Sequence, residues 1–281
     1  MQTENEIKEL VRQKYSEIAL QDKSTNQSSC CGSGGCSTEV YNIMTDDYSK
    51  VDGYNPDADL GLGCGLPTQF AKIKQGDTVI DLGSGAGNDC FIARKEAGET
   101  GKVIGIDFTP AMIDLARANA QKIGYTNVEF RQGDIDNMPV AANTADVIVS
   151  NCVLNLVPNK DAVIKEIYRT LKSGGHFSIS DIVLEGTLPE SIREAAEMYA
   201  GCVSGAIQKS VYLELIHSNG FENITIQKEK TIEVPDDILS KYLSPEDLSA
   251  FRNGSAGIYS ITVFAQKPIT EKSCCGPACC N

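Results

Sequence analysis

The first clear hydrophobic pattern lies near the start of the chain. In residues 3–21, Ile7, Leu10 and Ile18 recur at helical spacing. Because an amphipathic helix places its apolar residues three or four positions apart, this spacing predicts a helix. Residues 24–38 are rich in serine, glycine and cysteine, which cannot build a core. We therefore predict an N-terminal helix followed by a mobile loop.

From residue 77 onward, short β-branched runs alternate with helical segments. The runs T-V-I-D-L and K-V-I-G-I-D are typical of buried strands. Thr109 and Pro110 indicate the start of a helix and Gly124 its end. Gly174 and Gly175 are expected to end a later helix. This alternation predicts a parallel sheet with helices on both faces. Two later runs, I-T-I-Q and Y-S-I-T-V-F-A, lack that spacing, and we expect the last to run antiparallel at or near an edge.

Composition and charge exclude several classes of function. The chain of 281 residues carries 25 basic and 38 acidic side chains, a net charge of −13. Binding to nucleic acid needs clustered lysine and arginine, so we expect no nucleic-acid partner. No run approaches the roughly 18 apolar residues of a spanning helix. The polar start M-Q-T-E-N has no apolar secretory core. We expect no membrane association and a cytoplasmic location.

A glycine-rich turn, D-L-G-S-G-A-G-N-D, follows the first predicted strand. Its glycines at 83, 85 and 87 permit a sharp turn and the close approach of a ligand. The second strand ends at Asp107, whose carboxylate can accept both hydroxyls of a ribose. The turn alone would suit any doubly wound fold. Together with the two acids, it predicts a site for a nucleoside-containing cofactor.

The acid that precedes the glycines distinguishes between two cofactors. Asp81 would repel a pyrophosphate, whereas it can accept the cationic amino group of a methionine moiety. Asp134 is placed to accept the amino group of adenine, with Ile135 against the ring. Tyr48 is a candidate for a cation–π contact with a sulfonium. These features favour S-adenosylmethionine over NAD. The predicted cofactor-binding residues are Asp81, Gly83, Ser84, Gly85, Gly87, Asp107, Phe108, Met112, Asp134, Ile135, Asn151 and Tyr48.

Over about residues 77–184, these motifs resemble those of class I S-adenosylmethionine-dependent methyltransferases. The resemblance implies an α/β, Rossmann-like fold with a seven-stranded, mostly parallel sheet, helices on both faces and an antiparallel last strand. We expect four parts in the chain. They are an N-terminal helix, cysteine-rich loop and lid (1–75), the cofactor-binding core (76–184), an acceptor-binding insertion with the final strands (185–270), and a cysteine-rich tail (271–281).

The chain has 11 cysteines and only 2 histidines. Thiols stay reduced in the cytoplasm, so a disulfide framework is a poor explanation. Cys90, beside Phe91, is interpreted as buried filler. Cys64, Cys152 and Cys202 instead lie in contexts flanked by glycine or asparagine. The high number of cysteines indicates either inert thiols in the core or a soft ligand that binds thiols.

The runs A-D-L-G-L-G-C-G-L-P, S-N-C-V-L-N-L-V-P and G-C-V-S-G-A resemble the cysteine motifs of arsenite methyltransferases, and the likeness extends from about residue 3 to about 267. The resemblance implies that Cys64, Cys152 and Cys202 bind trivalent arsenic. It implies one to three methyl transfers, methylated trivalent arsenicals, arsenic detoxification and an external thiol reductant such as thioredoxin or glutathione. Three thiolates suit soft As(III), whose lone pair can attack a sulfonium methyl without a strong base.

Seven further cysteines lie in two segments near the ends of the chain: Cys30, Cys31, Cys36, Cys274, Cys275, Cys279 and Cys280. They are candidates for accessory As(III) binding, or they form a generic soft-metal tail. Two other functions are also consistent with the sequence. One is a small-molecule O-, N- or C-methyltransferase with incidental cysteines, and the other is a non-catalytic arsenic- or soft-metal-binding protein. We expect a monomer.

Overall fold

The computed structural model describes residues 4–20, 46–187, 205–233, 236, 240, 243–253 and 256–270. Cys202 and the seven cysteines near the ends lie outside these residues, as does the predicted mobile loop. Within the described part of the chain, no helix is both long enough and apolar enough to cross a membrane.

Seven strands form one sheet in the order β3-β2-β1-β4-β5-β7-β6. They are β1 Thr78–Leu82, β2 Lys102–Asp107, β3 Val128–Gln132, β4 Ala145–Asn151, β5 Leu171–Glu185, β6 Glu222–Thr231 and β7 Gly257–Gln266. Neighbours from β3 to β5 pair in parallel. Strand β7 runs antiparallel to both β5 and β6. The prediction of a mostly parallel, seven-stranded sheet with an antiparallel last strand is confirmed.

The described helices are α1 Glu4–Leu20, α2 Pro67–Phe70, α3 Asn88–Ala97, α4 Pro110–Ile123, α5 Lys160–Thr170, α6 Lys209–Ser218 and α7 Pro245–Asn253, with a 3₁₀ turn at Leu154–Leu156. Thr109 precedes α4, and Gly124 ends it at φ 74°, as predicted. The prediction that Gly174 and Gly175 end α5 is wrong. Helix α5 stops at Thr170 because Leu171 is extended and fully buried, and β5 begins there.

The sheet has a hydrophobic core on each face. In β1, Val79 packs with Phe91 and other residues of α3, whereas Ile80 packs on the opposite face with Ile164 and its neighbours in α5. Successive side chains of a strand point to opposite faces, so a central strand covered on both sides is apolar throughout. The parallel strands therefore bring their carboxyl ends to one well-packed edge. Ligands bind at that edge in open α/β sheets.

Candidate functional site

A cavity lies at the carboxyl ends of β1, β2 and β4, and α1 and residues 58–63 also line it. Eleven predicted site residues line this cavity: Tyr48, Asp81, Gly83, Ser84, Gly85, Asp107, Phe108, Asp134, Ile135, Asn151 and Cys152. Three other predicted residues do not line it. Gly87 and Cys64 flank the cavity, since Gly87 is the N-cap of α3 and Cys64 is buried next to the cavity-lining Gly63. Met112 is buried inside α4.

The glycine-rich turn is shaped by positive φ angles of 66° at Gly83, 50° at Gly85 and 99° at Gly87. A side chain at Gly83 would lie 2.4 Å from Val153, and one at Gly87 would lie 2.9 Å from Phe130. At Gly85 a Cβ would meet nothing within 4 Å. Because Gly85 lines the cavity, its open side is available for the close approach of a ligand.

Asp107 is held at the end of β2 by two backbone groups. Gly85 N–H donates to its Oδ2 at 3.0 Å, and Thr109 N–H donates to its Oδ1 at 2.8 Å. Among the described residues, the buried Ser84 Oγ has no hydrogen-bond partner. Buried hydroxyls are normally paired, and Ser84 lines the cavity. A polar ligand such as a ribose would supply a partner for it.

Three buried carboxyl groups, those of Asp81, Asp89 and Asp107, line the cavity. Burial raises the pKa of Asp81 and Asp107, and it raises the pKa of Asp89 to about 6. The neighbouring Asp89 raises the pKa of Asp81 further, since two like charges in a low dielectric repel. Lys8 is the one basic residue among the described residues that line the cavity. This acidic lining fits the cationic amino group and sulfonium of S-adenosylmethionine.

The cysteine interpreted as filler has a second role in the structure. Cys90 is buried in the core, as expected, but its thiol also donates to Asp81 Oδ2 at 3.2 Å. Burial and the nearby Asp81 raise the pKa of the Cys90 thiol, which keeps it a donor. The role of Asp89 was also missed from the sequence. Its signal was its position directly after the glycine turn, where α3 begins.

Helix α1 also lines the cavity, where it meets the predicted adenine-binding residues Asp134 and Ile135. Lys8 Nζ lies 2.8 Å from Asp136 Oδ2 and 3.6 Å from Asp134 Oδ1. Arg12 lies over the ring of Phe108 at 5.6 Å from its centroid. Ile135 is buried in the cavity lining, where an apolar side chain can pack against an aromatic base. The structure therefore adds a helix that the sequence did not place at this site.

Cys64 and Cys152, two of the three predicted arsenic ligands, are both buried, and Cys152 lines the cavity. Cys152 follows β4, where its N–H donates to Ser180 O at 2.8 Å and its φ is 61°. Few residues with a Cβ adopt this left-handed conformation. Cys64 is fully buried, and its carbonyl accepts from Ser260 Oγ at 2.5 Å. Burial and the nearby Asp181 raise the pKa of the Tyr212 hydroxyl, and Cys64 and Cys152 add smaller contributions.

The described residues contain no group of three or more His, Cys, Asp or Glu side chains arranged to hold a metal ion. The third predicted thiol, Cys202, lies outside them. A further acid, Asp181 of β5, is fully buried 3.5 Å from the Tyr212 hydroxyl. Burial raises its pKa to about 7. Its only sequence signal was an acid at the end of an apolar strand.

Three comparisons with known proteins bear on the family of the chain. A family model described as a methyltransferase domain matches residues 73–232. The arsenite methyltransferase of Halobacterium salinarum is 39% identical over 283 residues, covering 95% of this chain and 68% of that protein. The arsenite methyltransferase of Aquipseudomonas alcaligenes is 30% identical over 261 residues, covering 90% of this chain and 70% of that protein.

Among solved structures, the crystal structure of an arsenic(III) S-adenosylmethionine methyltransferase from Chlamydomonas reinhardtii matches with a TM-score of 0.63 and 30% identity. The match covers 84% of this chain and 75% of that one. The sequence and structure matches thus each cover most of the chain. The chain belongs to the arsenite methyltransferases, a family of class I S-adenosylmethionine-dependent enzymes.

Proposed function

We propose that this enzyme methylates trivalent arsenic while the thiolates of Cys64, Cys152 and Cys202 hold it. One observation carries the proposal. Cys152 lines the same cavity as Asp81 and the glycine turn, and Cys64 is buried beside it. An acceptor on Cys152 would therefore face the methionine end of the cofactor. Holding donor and acceptor in line is the main task of the enzyme in such a transfer.

Each part of the cavity has a role toward the cofactor. Asp81 and Asp89 accept the amino group and offset the positive sulfonium, while Asp107 accepts the ribose hydroxyls. Asp134 and Ile135 hold the adenine. When bound, S-adenosylmethionine supplies an electrophilic methyl group on sulfur. Tyr48 lines the cavity beside Asp89, so its ring is available for a cation–π contact with that charge.

The thiols load arsenic by exchange. Each thiol replaces one hydroxide of arsenous acid, and its proton leaves with that hydroxide as water. Soft trivalent arsenic prefers sulfur ligands, so the exchange is favourable. The arsenic lone pair then forms the new As–C bond, and the electrons of the breaking S–C bond remain on sulfur as a thioether. No strong base takes part.

The methyl transfer also requires a reductant if the arsenic is to return to the trivalent state. Methylation consumes the arsenic lone pair, so the arsenic formally becomes pentavalent. Two electrons from an external thiol reductant, thioredoxin or glutathione, return it to the trivalent state. We infer that methylated trivalent arsenicals are the products and that detoxification in the cytoplasm is the physiological role. The cysteines near the ends, from Cys30 to Cys36 and from Cys274 to Cys280, act as accessory As(III) ligands on a monomer.

The test is to incubate the enzyme with arsenite, methyl-labelled S-adenosylmethionine and a thiol, and to follow the label into arsenicals by chromatography. Cys152→Ser should abolish the transfer, because serine is a hard ligand that binds As(III) poorly. The control is unchanged affinity of this variant for S-adenosylhomocysteine, which shows that the cavity is intact. Full transfer of label to arsenic by the triple variant C64S/C152S/C202S would exclude the three thiols as arsenic ligands, whereas label in an organic molecule and none in arsenicals would support an organic acceptor. Arsenite binding without label transfer would support a sequestering protein.

A further inference from the structure

The side chain of Asn151 holds the chain segment that carries Cys64. Its Oδ1 accepts from Cys64 N–H at 3.0 Å and from Gly65 N–H at 3.3 Å. Its Nδ2 donates to Gly65 O at 2.9 Å. The Asn151 amide thus accepts from the N–H groups of Cys64 and Gly65 and donates to the carbonyl of Gly65. These contacts form although 87 residues separate Cys64 from Asn151 along the chain.

The glycines around Cys64 make this close approach sterically available. A Cβ on Gly63 would lie 2.5 Å from Asn151 Nδ2, and one on Gly65 would lie 2.5 Å from Ser180 Oγ. On the far side, Ser260 Oγ donates to the carbonyl of Cys64. The G-C-G run therefore packs against β4, β5 and β7 with no side chain in between. Any residue larger than glycine would push the segment off the amide.

Asn151 is also bonded covalently to Cys152. Its backbone ends β4, and the left-handed conformation of Cys152 turns the next residue away from the strand direction. A single residue thus touches the Cys64 segment through its side chain and Cys152 through its backbone. Its Nδ2 further donates to Asp89 Oδ2 at 3.2 Å and contacts the Tyr48 hydroxyl, and both of those residues line the cofactor cavity.

We propose that Asn151 is a positioning residue that sets the placement of the Cys64 thiol relative to Cys152 and the methyl donor. Asn151 itself does not bind arsenic. The proposal rests on the proposed function, in which both thiols hold As(III). It replaces the sequence-based expectation that Asn151 serves mainly as a cofactor ligand, since its amide is already engaged by the Cys64 segment, Tyr48 and Asp89.

The first test measures the exposure of Cys64 without arsenic. A fully buried thiol is alkylated only when its segment opens locally. Iodoacetamide labelling, resolved by peptide mass spectrometry, should modify Cys64 at least tenfold faster in Asn151→Ala than in the parent enzyme. Cys90 is equally buried but lies in α3, so its labelling rate is the internal control. Unchanged protection of Cys64 in the variant would overturn the proposal.

Asn155→Ala is the matched control variant. Asn155 is a fully buried asparagine in the next turn of chain, and its amide donates to Ile182 O at 2.6 Å rather than to the Cys64 segment. It should lose comparable thermal stability and yet keep Cys64 protected. If it exposed Cys64 equally, the effect of Asn151→Ala would be general loosening, and the proposal would fall.

A second variant approaches the same contact from the other side. Gly63→Ala keeps the asparagine at 151 but adds a methyl group that would clash with its amide. It should therefore accelerate Cys64 labelling in the same way. In both variants the KM for arsenite should rise at least tenfold, and by a larger factor than the Kd for S-adenosylhomocysteine, which also responds because Asn151 contacts Asp89 and Tyr48. Equal changes in both constants would contradict a role confined to the thiol.

These outcomes separate failure of this proposal from failure of the proposed function. If Cys64 is not an arsenic ligand, Cys64→Ser will keep the parental KM for arsenite, although Asn151→Ala still exposes the thiol to iodoacetamide. If Cys64 is a ligand but Asn151 does not position it, Cys64→Ser will raise the KM while Cys64 stays protected in Asn151→Ala.

Discussion

At the scale of single residues, three buried acids dominate the electrostatics of the cavity. Asp81, Asp89 and Asp107 lie in the same lining, and burial raises the pKa of each. An ionised carboxylate in such a place is costly unless a cation or several donors accompany it. The cavity is therefore better suited to a cationic ligand than to an empty state or to a phosphate.

Cofactor binding should depend on pH through Asp89. Its pKa is about 6, and a cation prefers the ionised form. Affinity should therefore rise as the pH increases through about 6 and level off above it, with proton release on binding below that pH. Calorimetric titration with S-adenosylmethionine between about pH 5 and pH 8 measures this. Asp89→Asn should bind about tenfold more weakly at pH 8 and with a flatter profile. An unchanged profile would assign the titration to another group.

At the scale of elements, helix α1 forms part of the cofactor site as well as of the fold. Of the residues whose spacing predicted an apolar face, Ile18 is buried and Leu10 is exposed, and the neighbouring Val11 is buried as well. The polar side of the helix contacts the cavity through Lys8, which pairs with Asp134 and Asp136. These partly exposed ion pairs are modest individually, so they contribute little to holding α1 over the cavity. Such an element can open for cofactor exchange.

Loss of the Lys8 charge should therefore speed cofactor release. Lys8→Met keeps the aliphatic stem but removes the ion pairs, and we expect a dissociation rate about fivefold higher, from ~1 kcal/mol of lost interaction. Stopped-flow displacement of a fluorescent cofactor analogue measures the rate. Lys14→Met is the matched control, because Lys14 lies on α1 outside the cavity lining. Equal rates in the two variants would show that α1 does not gate the site.

At the scale of the whole molecule, β5 places an acid in the interior of the fold. Asp181 is fully buried, and its pKa rises from the usual 3.8 to about 7 because burial disfavours the charge, although Lys160 partly offsets this. The folded state thus binds a proton more tightly than the unfolded chain does. The contribution of Asp181 to the free energy of unfolding should be most favourable below about pH 4 and should decrease as the pH rises toward 7.

Asp181→Asn should remove the loss of stability that Asp181 causes as the pH rises toward 7. The variant is expected to gain stability over the parent at pH 8, by on the order of 4 kcal/mol at most, and to gain little near pH 4. Urea unfolding at the two pH values gives the difference directly. Asp161→Asn is the opposite control. Hydrogen bonds from Asn219 and Lys165 lower the pKa of that exposed carboxylate, so its contribution is present above pH 4 and lost in acid. A pH-independent effect of Asp181→Asn would contradict this account.

Local patterns were sufficient for the core of the fold and for part of the site. Strand periodicity, helix-capping residues and the glycine turn depend on neighbours in the chain, so β1, β2, α4 and the placement of Asp81 and Asp107 could be predicted. The order of three cysteine motifs was sufficient to indicate the family. Errors arose where burial overrides a local signal, as at Gly174 and Gly175, which lie inside β5 because Leu171 is buried in the sheet. Helix α7 was not predicted at all.

The arrangement around the thiols depends on contacts between distant segments. Asn151 meets Cys64 across 87 residues, Tyr48 meets Asp89 across 41, and Lys8 meets Asp136 across 128. No periodicity encodes such distances, since they follow from the strand order and from loops folded over its carboxyl edge. The pKa values of Asp89 and Asp181 arise in the same way, because desolvation is a property of the packed interior. The residue types thus specified a soft acceptor and a sulfonium donor, while packing placed the Cys152 thiol in the donor's cavity and buried Cys64 beside it.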